Sequence, residues 1–178
     1  MLAGLLQVVV SACSRPATWV VCGACRGVGK TYVSQGLAQI LPDAVYAKIG
    51  HGTPKPGRPA AFFGTVEAFR IWKSSVANET RHYVVESNQL AARDEGDICV
   101  YIEAPTGFKD VRPDARSMAE HADILIGAEA HSADWRAALS AQFGHAPWIE
   151  AVTDLFEEQR AFVARRGTES PTEDRRMR

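Results

Sequence analysis

The chain has 178 residues, with 20 Lys plus Arg against 21 Asp plus Glu and a formal net charge of -1. That length suits one domain with a core of its own, and the near-neutral balance argues against a general nucleic-acid binder, which carries a basic bias. No apolar run approaches the roughly 20 residues of a membrane span.

Residues 2–12 are mostly apolar and read as an amphipathic or buried N-terminal helix. The tetrad Val10-Ser11-Ala12-Cys13 has the form of a lipoprotein cleavage site. The segment before it holds no Lys or Arg, so the charged start of a signal peptide is missing. The four cysteines, Cys13, Cys22, Cys25 and Cys99, are irregularly spaced. A disulfide framework is not expected, and a reducing cytoplasm is the expected location. Cys22-Gly23-Ala24-Cys25 is a CxxC pair, but it overlaps the motif described next and lacks the partners that complete a zinc site.

Residues 18–41 organise the chain. A short buried strand (19–22) runs into a glycine-rich turn (23–29), and Lys30-Thr31 opens a helix. Ala24, Cys25, Arg26, Gly27, Val28, Gly29, Lys30 and Thr31 fit the looser phosphate-loop pattern Ala/Gly-x-x-x-x-Gly-Lys-Ser/Thr. The residue types match the chemistry. Gly27 and Gly29 let bare backbone fold around an anion. Loop amides and the positive end of the helix, continued by Tyr32, face the phosphates. Lys30 places a charge between β- and γ-phosphate, and the Thr31 hydroxyl is a Mg²⁺ ligand. Val33, Leu37, Ile40 and Leu41 recur at helical spacing before Pro42-Asp43 stops the run.

Beyond it, residues 44–49 read as a strand, and residues 50–59 as an irregular loop with three prolines and three glycines, either a surface connection or a lid. Residues 65–78 read as a helix with Val66, Phe69, Trp72 or Lys73, and Val76 on one side. Residues 82–86 and 97–103 read as strands that each end in an acid, Glu86 and Glu103, with a short helix or turn (88–95) between them. A polar loop (104–113), a short helix (115–121) and a fifth strand (123–127) follow. Ser132 is the expected cap of a helix reaching Phe143, and Pro147 the expected first turn of a last helix. From Arg165 the chain is charged and aperiodic. The reading is one nucleotide-binding domain over residues 1–165 and a disordered tail over 166–178.

Strands apolar throughout, alternating with helices, indicate an α/β three-layer sandwich on a mainly parallel sheet, with the ligand at the carboxyl ends of the strands. That edge collects the phosphate loop, the Lys48 to His51 segment, Glu86-Ser87-Asn88 and Glu103. Glu86 is the favoured Mg²⁺-orienting acid and Glu103 the alternative.

The run Gly23 to Thr31 resembles the phosphate loop of dethiobiotin synthetases, with Ala24-Cys25-Arg26 where that family has Thr-Asp-Thr. Lys48-Ile49-Gly50-His51 and Val84-Val85-Glu86-Ser87 resemble motifs of the molybdopterin-guanine dinucleotide biosynthesis adaptor family (MobB). Both belong to the SIMIBI branch of P-loop NTPases. The resemblance implies a P-loop NTPase fold, Mg²⁺ and ATP or GTP as ligands, a homodimer, and a role for Lys48 beside Lys30 near phosphates or substrate. The absence of an Asn-Lys-x-Asp motif puts ATP slightly ahead of GTP. Arg58, Lys109 and Arg112 are candidate contacts for an anionic substrate, and Lys109, Asp110 and Arg112 could pair among themselves. Three functions are expected in turn. The first is a slow NTPase that assists a partner protein in cofactor assembly. The second is an ATP-dependent small-molecule ligase or kinase of the dethiobiotin synthetase type. The third is an interaction switch that orders the 50–59 loop.

Overall fold

A computed structural model of the chain describes residues 16–50, 61–76, 81–108 and 110–168. Strand β1 (Thr18–Gly23) is central in a six-stranded sheet, and helix α1 (Lys30–Ile40) follows it. Then come β2 (Ala44–Ile49), β3 (Ala61–Phe63), α2 (Val66–Ser75), β4 (His82–Glu86) and α3 (Asn88–Ala91). The chain ends with β5 (Ile98–Ile102), α4 (Ala115–Glu120), β6 (Ile124–Ile126), α5 (Ser132–Phe143) and α6 (Ile149–Thr168). The sheet order is β3-β2-β4-β1-β5-β6, and every pairing is parallel.

The period of two along β1 divides the core. Trp19 and Val21 face one side, where Val33 and Leu37 of α1, Leu139 of α5, and Val152 and Phe156 of α6 pack on them. Val20 and Cys22 face the other, against Val66 and Phe69 of α2, Leu90 of α3 and Met118 of α4. Burial on both faces explains why these strands read as unbroken apolar runs. Trp19 is fully buried and stacks on Phe143 with ring centroids 5.5 Å apart. Truncation of such a side chain costs on the order of 3–5 kcal/mol.

The chain builds β2, β3 and β4 on one side of β1 and then crosses to β5 and β6 on the other. Such a reversal opens a crevice at the carboxyl ends of the central strands. The registers bring Glu86 beside Val21 of β1 and Lys48 of β2, so the end of β4 lies against the start of the glycine-rich loop.

Several expectations need correction. Strand β3 was not anticipated. The helix expected over residues 65–78 closes at Ser75, with Thr65 as its cap and its hydroxyl accepting from the Ala68 amide at 3.2 Å. Ser132 is the first residue of α5, and His131 occupies the cap position. The last helix begins at Ile149, after Pro147 rather than on it. That helix also runs through Arg165 to Thr168, part of the stretch expected to be disordered. Basic residues in its last turn favour the negative helix end, and the Arg166 guanidinium lies 5.1 Å from the Phe162 ring centroid. The expected N-terminal helix, the bulk of the 50–59 loop and residues 169–178 lie outside the described residues. Among the described residues no helix is long and apolar enough to cross a membrane.

Candidate functional site: the loop after the central strand

The loop leaves β1 at Gly23, where a Cβ would sit 2.8 Å from Val28 Cγ2 and 2.9 Å from the Ile102 carbonyl oxygen. Only glycine allows the loop to fold this closely over β5. The Ala24 amide donates to Ile102 O at 2.9 Å, and Ala24 O accepts from the Arg112 amide at 2.9 Å, which pins the loop base to β5 and to the 104–113 segment. Asn88, at the start of α3, clamps Gly23 from the other side. Its Oδ1 accepts from the Gly23 amide and its Nδ2 donates to the Gly23 carbonyl, both at 3.2 Å.

Gly27 and Gly29 have φ of 83° and 96°, in the left-handed region that glycine tolerates. Gly29 caps α1 without a side chain, and the first helical bond runs from the Val33 amide to Gly29 O at 3.1 Å. The amides of Lys30, Thr31 and Tyr32 therefore have no intrahelical acceptor, at the end where the helix dipole is positive. From beneath, buried Gln159 of α6 donates its Nε2 to Val28 O at 2.6 Å.

Lys30 Nζ donates to Cys25 O at 2.6 Å, so the side chain lies back across the loop. Burial lowers its pKa, partly opposed by the Glu86 charge. Glu86 is the hub of the other half of the site. Its Oε1 accepts from Lys48 Nζ at 2.6 Å, and its Oε2 accepts from Thr31 Oγ1 at 2.9 Å and from Tyr46 OH at 2.7 Å. Burial pushes the Glu86 carboxyl up, but the hydrogen bonds from Lys48 and Tyr46 outweigh it, and the net pKa is lowered. The carboxylate is thus ionised and held in one orientation.

A cavity of about 550 Å³ opens between these halves, lined by Cys25, Arg26, Lys30, Lys48, Glu86 and Arg112 among others. The expected residues Lys30, Thr31, Lys48 and Glu86 are therefore brought together. Glu103 turns away, toward Gly127, where a Cβ would sit 1.6 Å from its Oε2. Burial and the Glu129 charge raise its pKa. Arg112 pairs with Asp114 at 2.9 Å rather than with Asp110. His51, Arg58 and Lys109 lie outside the described residues. Cys22 Sγ meets Cys99 Sγ at 3.8 Å across β1 and β5. That contact, followed by burial, pushes the Cys22 thiol up, and burial pushes Cys25 up. Both shifts disfavour the thiolate that redox work at the CxxC pair needs.

Three participants escaped sequence reasoning: Tyr46, Asp110 in the cavity lining, and Gln159. The sequence places Asn88 at this strand edge, but only the fold shows its clamp on Gly23.

Among the described residues no group of three or more His, Cys, Asp or Glu could hold a metal ion. The donors at the Thr31–Glu86 contact are a hydroxyl and a carboxylate, hard oxygens that suit Mg²⁺. Mg²⁺ takes one or two protein oxygens and fills its shell with substrate phosphates and water, so this sparse set fits it. The chain matches no protein-family model, no curated protein and no solved structure.

Proposed function

We propose that this chain is a Mg²⁺-dependent nucleoside triphosphate-binding protein with slow NTPase activity, built on a P-loop NTPase fold. The observation that carries this reading is the junction of loop, helix and acid. Lys30, at the uncapped start of α1, and Glu86, bonded to Thr31 and Lys48, line one cavity. A triphosphate, with four negative charges at most, is the ligand such a cradle neutralises. In this reading Ala24 to Tyr32 bind the phosphates and Lys30 spans the β- and γ-phosphates. Thr31 and Glu86 hold Mg²⁺, which supplies positive charge for the developing oxyanion. Lys48 holds Glu86 ionised and lies at the cavity wall, where it can meet the terminal phosphate or a second substrate.

The pathway assignment rests on the motif resemblance: an accessory protein that uses nucleotide binding to assist a partner in molybdopterin-type cofactor assembly. Slow turnover fits a lining whose carboxylate with the most defined position, Glu86, is engaged by three donors rather than free to act as a base. The second reading, an ATP-dependent ligase or kinase for a small anionic substrate, is favoured by the reach of the cavity past Lys30 to Lys48, Asp110 and Arg112. Calorimetry with Mg-ATP and Mg-GTP tests the shared core, and single-turnover ADP formation separates the two. Binding with slow turnover marks the accessory protein, and a substrate-dependent ADP burst marks the ligase or kinase.

A further inference from the structure

A second groove opens on the other side of the loop. It has a volume of about 490 Å³ and is lined by Gly29, Tyr32, Glu158, Ala161, Phe162 and Arg165 among others. Its size falls in the range of about 300–1,000 Å³ usual for small-molecule sites. Gly29 lines this groove, while Lys30, the next residue, lines the cavity beyond the loop. Resting on the triphosphate reading above, we propose that this groove binds the nucleoside half of the ligand, with an aromatic purine base laid against the rings of Tyr32 and Phe162.

Three observations carry the inference. Tyr32 is 50% exposed, an aromatic ring at the surface for which core packing gives no reason. It is nevertheless held in place, because its hydroxyl donates to the Glu158 carboxylate of α6. Phe162 is half-buried one turn further along α6, and the Arg166 guanidinium lies over its ring at 5.1 Å. Two rings, Tyr32 and Phe162, thus line one groove together with Arg165, while Arg166 lies over the Phe162 ring. Base–aromatic stacking and cation–π contact use this combination, and stacking tolerates either purine.

The direction of the ligand agrees. With the outer phosphates at Lys30, a chain that runs on to the neighbouring uncapped Tyr32 amide would reach the groove that Tyr32 lines. The ribose and base then leave past the Tyr32 side chain into the groove. Arg165 stands in the lining, where it can meet the α-phosphate or ribose. The groove lies between the start of α1 and α6, and its α6 side lies beyond the motif resemblances.

The test is calorimetry of the full chain with Mg-ATP, Mg-GTP and inorganic tripolyphosphate. Wild type should bind both nucleotides more tightly than tripolyphosphate. Tyr32→Ala and Phe162→Ala should each weaken both nucleotides by roughly tenfold or more, and Phe162→Ala should leave tripolyphosphate affinity unchanged. Tyr32→Phe, which keeps the ring, should retain nucleotide affinity. Tyr32 is exposed enough that its variants keep the test valid if Phe162→Ala fails to fold. Nucleotide affinity equal to that for tripolyphosphate, or unmoved in Tyr32→Ala, overturns the nucleoside groove and leaves the phosphate cradle standing. If wild type binds neither nucleotide nor tripolyphosphate, the cradle fails and the groove falls with it.

Discussion

The Thr31 hydroxyl donates to Glu86 Oε2 at 2.9 Å, joining the first turn of α1 to the end of β4 across 55 positions of sequence. If this pair orients Mg²⁺, Glu86→Gln should raise the Mg²⁺ concentration needed for nucleotide binding by roughly tenfold or more. Glu103→Gln should change it little, because that side chain turns toward Gly127. Calorimetric titrations over a Mg²⁺ series check this, and the reverse ranking would move the metal to the β5 end.

Lys48 sets the protonation state of that same carboxylate. The folded Glu86 pKa lies below its ordinary value, so this group contributes stability above the ordinary carboxylate range. The contribution is lost as pH falls through the lowered folded value. Lys48→Met removes the ammonium at Oε1 and lets burial push Glu86 up. The variant should lose stability near neutral pH, and its acid-unfolding midpoint should move to higher pH. Thermal melts from pH 3 to 8 measure the difference, and superimposable profiles would show that the pair does not matter.

The support of the loop by α6 predicts a stability cost that needs no ligand to be seen. Gly29→Ala puts a side chain at φ 96° and a Cβ 2.4 Å from Gln159 Oε1. The backbone term alone is about 1–3 kcal/mol. For a domain of this size each kcal/mol lowers Tm by roughly 2–4 °C. Gln159→Ala should itself destabilise, by leaving Val28 O buried without its donor. Combining the two should cost less than the sum, because the second substitution removes the clash. Additive Tm shifts would contradict the packing described.

The thiols give a chemical check. Cys22 and Cys25 are buried with raised pKa values, whereas Cys99 is half-exposed and its pKa is lowered by the Cys22 hydrogen bond. Iodoacetamide at neutral pH should alkylate Cys99 well before Cys22 or Cys25, as peptide mass spectrometry resolves. Rapid alkylation of Cys25 would point to a loop more open than the one described.

Local signals in the sequence were enough for the local parts of the site. Residues 44–49 and 82–86 read as strands with the bounds the structure shows, because β-branched and aromatic runs between turn residues admit little else. The Gly27-Val28-Gly29-Lys30-Thr31 turn was legible for the same reason: glycine at left-handed φ, then a helix start. Contacts made across the fold were not. Nothing near Gln159 says that its amide meets Val28, 131 positions away. Tyr46 was read as a strand residue, and only the β2–β4 register carries its hydroxyl to Glu86. Strand β3 is three residues long, too short to show a period, and it follows a proline-rich stretch that masks it. The end of α6 was misread because Arg165 and Arg166 look like tail composition, yet they suit the last turn of a helix.

The central claim is that residues 24–31 cradle a triphosphate through bare amides and the Lys30 ammonium. Calorimetry of wild type and Lys30→Ala with Mg-ATP and Mg-GTP tests it most directly. The account predicts saturable binding of at least one nucleotide by wild type and its loss in Lys30→Ala, with the melting temperature of the free protein little changed. Equal affinity in the two proteins, or no binding by wild type, would contradict it.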